Sequence, residues 1–245
     1  MLTIVLVHGA FADGSSWNAV IERLQQRGHT VVAPANPLRG IGADSAYLAS
    51  VVDQIDGSVL LVGHSYAGAL ISEVAAKARK VLGLVFVAAF APDDGEWLGD
   101  VSGKSKDSVL GQALVQRKYP AGGDGETAVE FVVDPARFHD AFAADLPAER
   151  AAVLAATQRP VAAGAFSEKA GPSAWKTIPC WAVVATGDKA AGTDIVRSMA
   201  QRAGAKIVEL EGSHLIMISQ PDAVTSVILE AAHALEGQVR AGAPQ

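Results

Sequence analysis

The stretch from Ser58 to Gly68, Ser-Val-Leu-Leu-Val-Gly-His-Ser-Tyr-Ala-Gly, constrains the fold of this chain more than any other. Its first half is a short apolar run, which is typical of a strand buried on both faces. From Tyr66 to Lys77 the apolar residues recur at helical spacing. Only a few residues remain between strand and helix to reverse the chain direction. The sequence therefore predicts a sharp strand–turn–helix unit with Ser65 at its apex.

A serine at such an apex matches the nucleophile elbow, in which small residues two positions to either side let the hydroxyl stand clear of the sheet. Gly63 occupies the position two before Ser65. Ala67 stands where a second glycine is usual, and Gly68 follows it. Because alanine is small enough for this position, Ser65 is the candidate nucleophile.

Strand-like runs alternate with helical patterns along most of the chain. The runs lie at about residues 3–7, 29–33, from 58 into the elbow, 82–88, 179–185 and 206–210. This alternation is typical of a parallel sheet with helices on both faces. We therefore predict an α/β fold with about six parallel strands.

The alternation breaks once, between Phe90 and about Trp175, where glycine and proline punctuate the chain. This segment shows three helix-like patterns and no convincing strand. The helix-like patterns are Asp107–Arg117, Pro135–Asp145 and Pro147–Gln158. We predict that residues 92–175, called the cap below, form a helical insertion over one end of the sheet after the fourth strand. Residues 1–91 and 176–245 are then the core.

The composition predicts a compact protein, with 50% hydrophobic and 19% charged residues. A formal charge of -6 disfavours nucleic acid or an anionic membrane as a partner. The only cysteine, Cys180, excludes an internal disulfide. The first residues read as a strand and not as a signal peptide, and no apolar run approaches the length of a membrane helix. The expected location is cytoplasmic.

The sequence contains no motif for a metal or a nucleotide. It has no H-E-x-x-H, no cysteine pair and no P-loop, and the glycines from Gly9 to Gly14 do not form the dinucleotide fingerprint. We therefore expect no cofactor and no metal site.

Three residues that can form a hydrolytic triad follow strands of the predicted sheet. Ser65 follows the third strand, Asp188 the fifth and His214 the sixth, and the carboxyl ends of these strands share one edge. A serine hydroxyl needs a base within hydrogen-bond reach, and the base needs a carboxylate that fixes its tautomer. The order Ser…Asp…His matches that of α/β-hydrolases.

Simpler roles exist for two of these residues. His214 could instead be a histidine of a surface loop without a catalytic role. Asp188 could instead be a turn residue, since Gly-Asp pairs are common in turns. Asp93 and Asp94 are the second choice for the acid, with helix capping at the entrance of the cap as their alternative.

A tetrahedral oxyanion requires preorganised N–H donors. Tyr66 supplies one from the start of a helix, where the helix dipole also favours negative charge. The second donor is expected in the loop after the first strand, at Ala10, where Gly9 lets the backbone approach closely. A plain strand-ending turn is the alternative for this loop.

Aromatic residues in and beside the cap are candidates to wall a pocket for the apolar part of a substrate. They are Phe11, Trp97, Phe131, Phe138, Phe142 and Phe166. For each of those in the cap, packing within the cap is an equal alternative.

With these residues in place, the chain resembles an α/β-hydrolase over nearly its whole length, least in the cap. The motifs V-L-V-H-G-A-F, G-H-S-Y-A-G, A-A-F-A-P-D-D-G-E, R-A-G-A and G-S-H-L-I-M-I-S-Q-P are similar to those of capped bacterial hydrolases. That group is akin to plant methyl-ester hydrolases of the salicylate-binding-protein type and to hydroxynitrile lyases. The resemblance implies a Ser65–His214–Asp188 triad and an oxyanion hole at Ala10 and Tyr66.

Two positions distinguish the branches of this group. The resemblance implies that the lyases have Thr at the position of Gly9. It also implies that they have Lys directly after the histidine, at the position of Leu215. Both departures favour ester hydrolysis. We therefore expect a serine hydrolase that cleaves a small, largely apolar carboxylic ester or lactone through an acyl-enzyme on Ser65. A lyase, a haloperoxidase-like perhydrolase and a non-catalytic ligand sensor stay open. The expected partner is a small-molecule ester, and the oligomeric state is open, a homodimer included.

Overall fold

The computed structural model describes residues 2–123 and 125–241. Residues 1, 124 and 242–245 of the predicted core and cap lie outside the described residues. The strands, in chain order, are β1 (Leu2–Val7), β2 (Thr30–Val32), β3 (Ser58–His64), β4 (Val81–Val87), β5 (Leu114–Pro120), β6 (Thr127–Val133), β7 (Val161–Ala162), β8 (Cys180–Ala185) and β9 (Lys206–Leu210).

Six strands form the main sheet in the order β2-β1-β3-β4-β8-β9, and every neighbouring pair is parallel. The predicted α/β fold with six parallel strands is confirmed. Strand β3 lies inside the sheet between β1 and β4, and its residues from Val59 to His64 are buried. The apolar run that precedes Ser65 is therefore enclosed on both faces, as its composition predicts.

Helices flank this sheet or belong to the cap. In chain order they are α1 (Asn18–Gln26), α2 (Ile41–Asp53), α3 (Ala67–Lys77), α4 (Leu98–Gly103), α5 (Leu110–Ala113), α6 (Pro135–Phe142), α7 (Ala148–Thr157), α8 (Gly164–Ser167), α9 (Thr193–Arg202), α10 (Ile216–Ser219) and α11 (Pro221–Ala241). Of these, α4 to α8 belong to the cap. Helix α1 packs against α11, and α2 packs against α3. Within the described residues, no helix combines the length and the apolar character that crossing a bilayer requires.

The cap differs from the sequence prediction because it contains an antiparallel sheet in the order β5-β6-β7. Two of the three predicted cap helices are present as α6 and α7. The third, Asp107–Arg117, is wrong in its second half: α5 ends at Ala113 and β5 begins at Leu114. Strand β5 is an edge strand, and most of its side chains are exposed. Its Gln, Arg and Lys residues therefore do not alternate with buried apolar residues, which is the pattern that predicts a strand. The pairing with β6 makes this segment a strand.

The cap contacts loops at the carboxyl ends of the core strands. The amide of Val109 donates to the carbonyl of Lys189, 2.8 Å away, in the loop after β8. The amide of Ala162 donates to the carbonyl of Leu38, 2.9 Å away, in the loop after β2. The cap thus lies at the sheet edge where the chain after β3 also emerges.

Candidate active site

Ser65 occupies the sharp turn between β3 and α3 in a strained backbone conformation. Its φ is 53°, a left-handed value that a residue other than glycine rarely adopts. Three backbone hydrogen bonds hold it there. Its N–H donates to the carbonyl of Val87 at 3.2 Å, and its carbonyl accepts from Gly68 at 3.0 Å and from Phe90 at 3.1 Å. Strain that the surroundings enforce in this way is typical of functional sites.

Close backbone contacts explain the residues on either side of the serine. A Cβ atom at Gly63 would lie 2.9 Å from the carbonyl oxygen of Ala67, and one at Gly68 would collide with the carbonyl oxygen of Phe90. The methyl group of Ala67 itself is fully buried. The departure from the usual motif is therefore tolerated, since in this chain the close approach after the serine falls on Gly68.

His214 and Asp188 form a buried pair beside this turn. The Nδ1–H of His214 donates to Oδ2 of Asp188 at 2.8 Å, and each side chain is 1% exposed. The other carboxylate oxygen accepts the N–H groups of Ala190 at 2.9 Å and Ala191 at 3.0 Å. Because the carboxylate is held from both sides, it fixes the ring orientation and leaves the lone pair on Nε2.

The other two candidate acids lie elsewhere. Asp93 forms an ion pair with Lys176, and its side chain is 35% exposed. Asp94 is exposed. The structure thus brings Asp188, and neither of these residues, to His214.

His64 fastens the loop of His214 next to the serine, a contact that the sequence did not predict. The Nε2–H of His64 donates to the backbone carbonyl of His214 at 3.0 Å, and the two ring centroids are 4.6 Å apart. Burial lowers the pKa of His64 well below its ordinary value, so its ring is neutral. Since His64 precedes Ser65 in the chain, the candidate base is tied to the residue adjoining the candidate nucleophile.

The loop after β1 lies directly against the serine. A Cβ atom at Gly9 would be 2.7 Å from Cβ of Ser65 and 2.9 Å from the carbonyl oxygen of His64. The backbone N–H groups of Ala10 and Tyr66 donate to no acceptor in the part of the chain that the structure describes. Two N–H groups without acceptors, one at the start of α3, are what an oxyanion hole requires.

The side chain of Tyr66 is hydrogen-bonded to a buried carboxylate, that of Asp44. Its hydroxyl donates to Oδ2 of Asp44 at 2.7 Å, and Asp44 also accepts the N–H of Arg39 at 3.0 Å. Asp44 is fully buried, and burial raises its pKa. These bonds hold the first turn of α3 in place behind Ser65.

Comparisons with known proteins agree with the predicted fold. A family model described as "Alpha/beta hydrolase family" matches residues 4–227. The chain belongs to the alpha/beta hydrolase family. The carbendazim hydrolyzing esterase of Nocardioides sp. (strain SG-4G) is 32% identical over 111 residues, which cover 40% of this chain and 46% of that protein. The pyrethroid hydrolase of Sphingobium wenxiniae is 37% identical over 101 residues, which cover 35% of each chain. This alpha/beta hydrolase thus aligns with less than half the length of either relative.

Solved structures share the fold of this alpha/beta hydrolase over nearly its whole length. Polyneuridine aldehyde esterase superposes with a TM-score of 0.78 at 21% identity, over 95% of this chain and 99% of that one. An extracellular alpha/beta-hydrolase from a Paenibacillus species, described as homologous to tobacco Salicylic Acid Binding Protein 2, gives 0.73 at 22% identity, over 94% and 99%. The resemblance to this group of hydrolases is therefore confirmed at the level of the fold.

Aromatic rings of this alpha/beta hydrolase form a connected cluster above His214. The ring of Phe142 lies 4.8 Å from that of His214, 5.1 Å from that of Phe138 and 5.9 Å from that of Phe11. From Phe11 the cluster continues to Phe166 at 6.5 Å, and from there to the ring of Phe131 at 6.2 Å. The five phenylalanine residues, Phe11, Phe131, Phe138, Phe142 and Phe166, are called the aromatic cluster below.

Trp97 is the one candidate aromatic that the structure does not bring to the cluster. It is 47% exposed, and its backbone forms an isolated bridge with Lys169.

A cavity of about 490 Å³ opens beside the aromatic cluster. Phe131 and Phe166 form one wall, and small and polar residues between Gly99 and Gln112 form much of the rest. No charged side chain of the described residues lines it. The volume falls within the range of pockets for small organic molecules.

A second contact between the cap and the histidine loop lies at Asp145. Its carboxylate accepts a hydrogen bond from the hydroxyl of Ser213, the residue before His214.

No group of three or more His, Cys, Asp or Glu side chains that could hold a metal ion is present among the residues that the structure describes.

Proposed function

We propose that this alpha/beta hydrolase is a serine esterase that cleaves a largely apolar carboxylic ester or lactone through an acyl-enzyme on Ser65. The observation that carries the proposal is the buried His214–Asp188 pair, with 2.8 Å between Nδ1 and Oδ2. It lies in a loop whose backbone is bonded to His64, next to Ser65. An oriented base at a strained serine is the arrangement that activates a hydroxyl nucleophile.

In the proposed reaction the oxygen of Ser65 attacks the ester carbonyl carbon while Nε2 of His214 accepts the hydroxyl proton. The carbonyl electrons move to the oxygen, and the resulting oxyanion binds the N–H groups of Ala10 and Tyr66. When the C–O bond to the alcohol breaks, His214 returns the proton to the leaving oxygen. Water then repeats the sequence at the acyl carbon and frees Ser65.

Each group has a defined energetic task in this scheme. The carboxylate of Asp188 stabilises the imidazolium that forms on His214, and loss of the corresponding charge costs about 10⁴-fold in the serine proteases. One oxyanion donor is worth on the order of 10²–10³-fold in rate. The N–H groups of Ala10 and Tyr66 meet no other acceptor among the described residues, so they need no rearrangement to bind the oxyanion.

The cap supports a substrate that is largely apolar and uncharged. Phe142 packs on the ring of His214, and the nearby cavity of about 490 Å³ has no charged lining among the described residues. Burying an ionised group without a partner is costly, so such a lining favours neutral substrates. The names of two relatives support the hydrolytic reaction, since one is an esterase named for carbendazim and the other a hydrolase named for pyrethroids.

One observation separates ester hydrolysis from a lyase reaction. The residue after His214 is Leu215, which is 2% exposed and apolar, so no ammonium group stands there to stabilise a leaving anion.

Turnover of a substrate panel tests the proposal. The panel contains 4-nitrophenyl esters of increasing acyl length, simple lactones, mandelonitrile for lyase activity, and hydrogen peroxide with acetate for perhydrolysis. We expect ester hydrolysis that Ser65→Ala abolishes. Ser45→Ala, a buried serine in α2, is the matched control and retains activity. Binding of esters without turnover would instead indicate a sensor, and turnover of only mandelonitrile or peroxide would indicate one of the other enzymes.

A further inference from the structure

A buried hydrogen-bond network underlies the loop after β1. His8 is fully buried, and Asn36 is 3% exposed. The backbone N–H of Asn36 donates to Nε2 of His8 at 2.9 Å, and its side-chain Nδ2–H donates to the backbone carbonyl of His8 at 3.0 Å. The catalytic scheme above does not use either residue.

These contacts determine which nitrogen of His8 carries the proton. A backbone N–H can only donate, so Nε2 of His8 accepts from Asn36 and has no proton. The proton is therefore on Nδ1, which donates to the backbone carbonyl of Gly9 at 2.9 Å. Burial, as the largest influence, lowers the pKa of His8 below its ordinary value, which agrees with a neutral ring. Both ring nitrogens are thus engaged, in a fixed tautomer.

The bond to the carbonyl of Gly9 also orients the next N–H group. Gly9 and Ala10 share a peptide unit, and no cis peptide bond occurs among the described residues. In a trans peptide the C=O and N–H point in opposite directions. Since the carbonyl faces His8, the N–H of Ala10 faces away from it. Gly9 itself lies close to Ser65, since a Cβ atom on Gly9 would be 2.7 Å from the serine Cβ.

We propose that His8, held by Asn36, is a positioning residue for the oxyanion hole, which it maintains by fixing the Gly9–Ala10 peptide. The inference rests on the proposed function, in which Ala10 supplies one oxyanion donor. The bond from Nδ1 prevents rotation of a peptide that glycine would otherwise leave free to turn. It also polarises the peptide, because a hydrogen bond accepted at C=O strengthens the N–H donor of the same unit.

A matched pair of amide variants separates positioning from packing. The side-chain amide of His8→Asn can place its N–H where Nδ1 stands and donate to Gly9. The amide of His8→Gln extends to the place of Nε2 and leaves that carbonyl without its donor. His8→Leu removes both polar groups.

The readouts are kcat, KM and the affinity for a trifluoromethyl ketone. In forming that complex, the oxygen of Ser65 bonds to the ketone carbon, the carbonyl electrons move to oxygen, and His214 takes the proton. The resulting oxyanion reports directly on the N–H donors. We expect His8→Gln and His8→Leu to lose roughly 10²–10³-fold in both kcat and ketone affinity, the range for one oxyanion donor, with KM nearly unchanged. We expect His8→Asn to restore most of both quantities.

A stability control accompanies these variants. Leu24 is a fully buried residue of α1, which lies outside the loop after β1. Leu24→Ala is expected to lower stability, while kcat per folded molecule is expected to match the wild type. If His8→Leu does not fold, the comparison of the two amide variants decides.

Three results would overturn the inference. Wild-type ketone affinity in His8→Gln would show that the loop holds its shape without the donor. Equal losses in His8→Asn and His8→Gln would show a packing role only. Both results leave ester hydrolysis by the wild type intact. If the wild type hydrolyses no ester and does not bind the ketone covalently, the proposed function itself fails, and the inference fails with it.

Discussion

The Nδ1 atom of His214 lies 2.8 Å from the Oδ2 atom of Asp188, and each side chain is 1% exposed. At this depth water does not compete for either group, so the bond fixes the ring of His214 in one orientation. The second oxygen of Asp188 is occupied by the N–H groups of Ala190 and Ala191. Both oxygens of the carboxylate are therefore engaged, in a hydrogen-bonded setting that suits stabilisation of an imidazolium.

Replacement of Asp188 by asparagine is expected to abolish most turnover and preserve the fold. The amide keeps the shape of the carboxylate, but its N–H favours the histidine tautomer that has the proton on Nε2, which cannot accept the serine proton. We expect kcat for 4-nitrophenyl esters to fall by about 10⁴-fold. Asp93→Asn and Asp94→Asn, at positions that do not contact His214, are the matched controls and should have mild effects. A crippled Asp93 or Asp94 variant beside an active Asp188→Asn would show that the acid is misassigned.

Addition of one methyl group at Gly9 is expected to disturb both stability and activity. In Gly9→Ala the new Cβ would press on Cβ of Ser65 at 2.7 Å and on the carbonyl of His64 at 2.9 Å. Overpacking of this kind lowers the free energy of unfolding by about 1–3 kcal/mol. Chemical denaturation and ester assays measure the two effects. In Gly14→Ala the nearest atom would be 3.8 Å away, so this control should behave as the wild type. Equal behaviour of the two variants would contradict the close packing of loop and elbow.

Truncation within the aromatic cluster is expected to change the preferred ester. Phe142→Ala removes the ring that packs on His214, and Phe138→Ala removes the ring that packs on Phe142. Trp97→Ala removes a ring that is 47% exposed. We expect the ratio of kcat/KM between short and long acyl esters to shift by roughly 10–200-fold for the first two variants. Trp97→Ala should leave it unchanged. If alanine changes throughout the cluster preserve the wild-type preference, specificity lies in the loops at the sheet edge.

Stability is expected to fall as the pH drops below neutrality because His64 is buried in its neutral form. Burial lowers the pKa of His64 in the folded state, while the unfolded chain takes up a proton near pH 6.5. The unfolded state therefore binds more protons, and the free energy of unfolding decreases by up to about 1.4 kcal/mol per pH unit for each such proton.

The measurement for this prediction is denaturant unfolding at a series of pH values. His64→Gln keeps an N–H donor but does not titrate, so its slope below pH 6.5 should be smaller by about one proton. Above about pH 7.5 the ring is neutral in both states, and the two slopes should coincide. Identical slopes below pH 6.5 would show that protonation of His64 does not contribute to the pH dependence of the free energy of unfolding.

Much of the core fold was predictable because the residues along one strand or one helix face share the same environment. That shared environment produces a pattern of apolar residues that is visible in the sequence. The apolar run into Ser65 is enclosed in β3, and the strand–helix alternation determines the parallel order. Asp188 and His214 were found because strands deliver both to one edge of the sheet. These features depend on local pattern and topology, which a single sequence carries.

The parts that the sequence did not show depend on contacts between distant residues. Strand β5 has exposed Arg117 and Lys118, so only its pairing with β6 reveals it. His64 lies 150 residues from its acceptor on His214, and Asn36 lies 28 residues from His8. The histidines adjoin recognised motifs, but no sequence pattern indicates their partners.

Labelling by a fluorophosphonate probe tests the central claim, that Ser65 is a nucleophile activated by His214 and Asp188. The phosphorus bonds to the serine oxygen as fluoride leaves, and the adduct is stable enough for mass spectrometry. We predict one adduct per chain, located on Ser65 by peptide mapping and absent from Ser65→Ala, with labelling sharply slowed in His214→Ala. Removing a member of such a triad costs on the order of 10⁴–10⁶-fold in turnover. An adduct on another residue, or full ester hydrolysis by Ser65→Ala, would contradict the account.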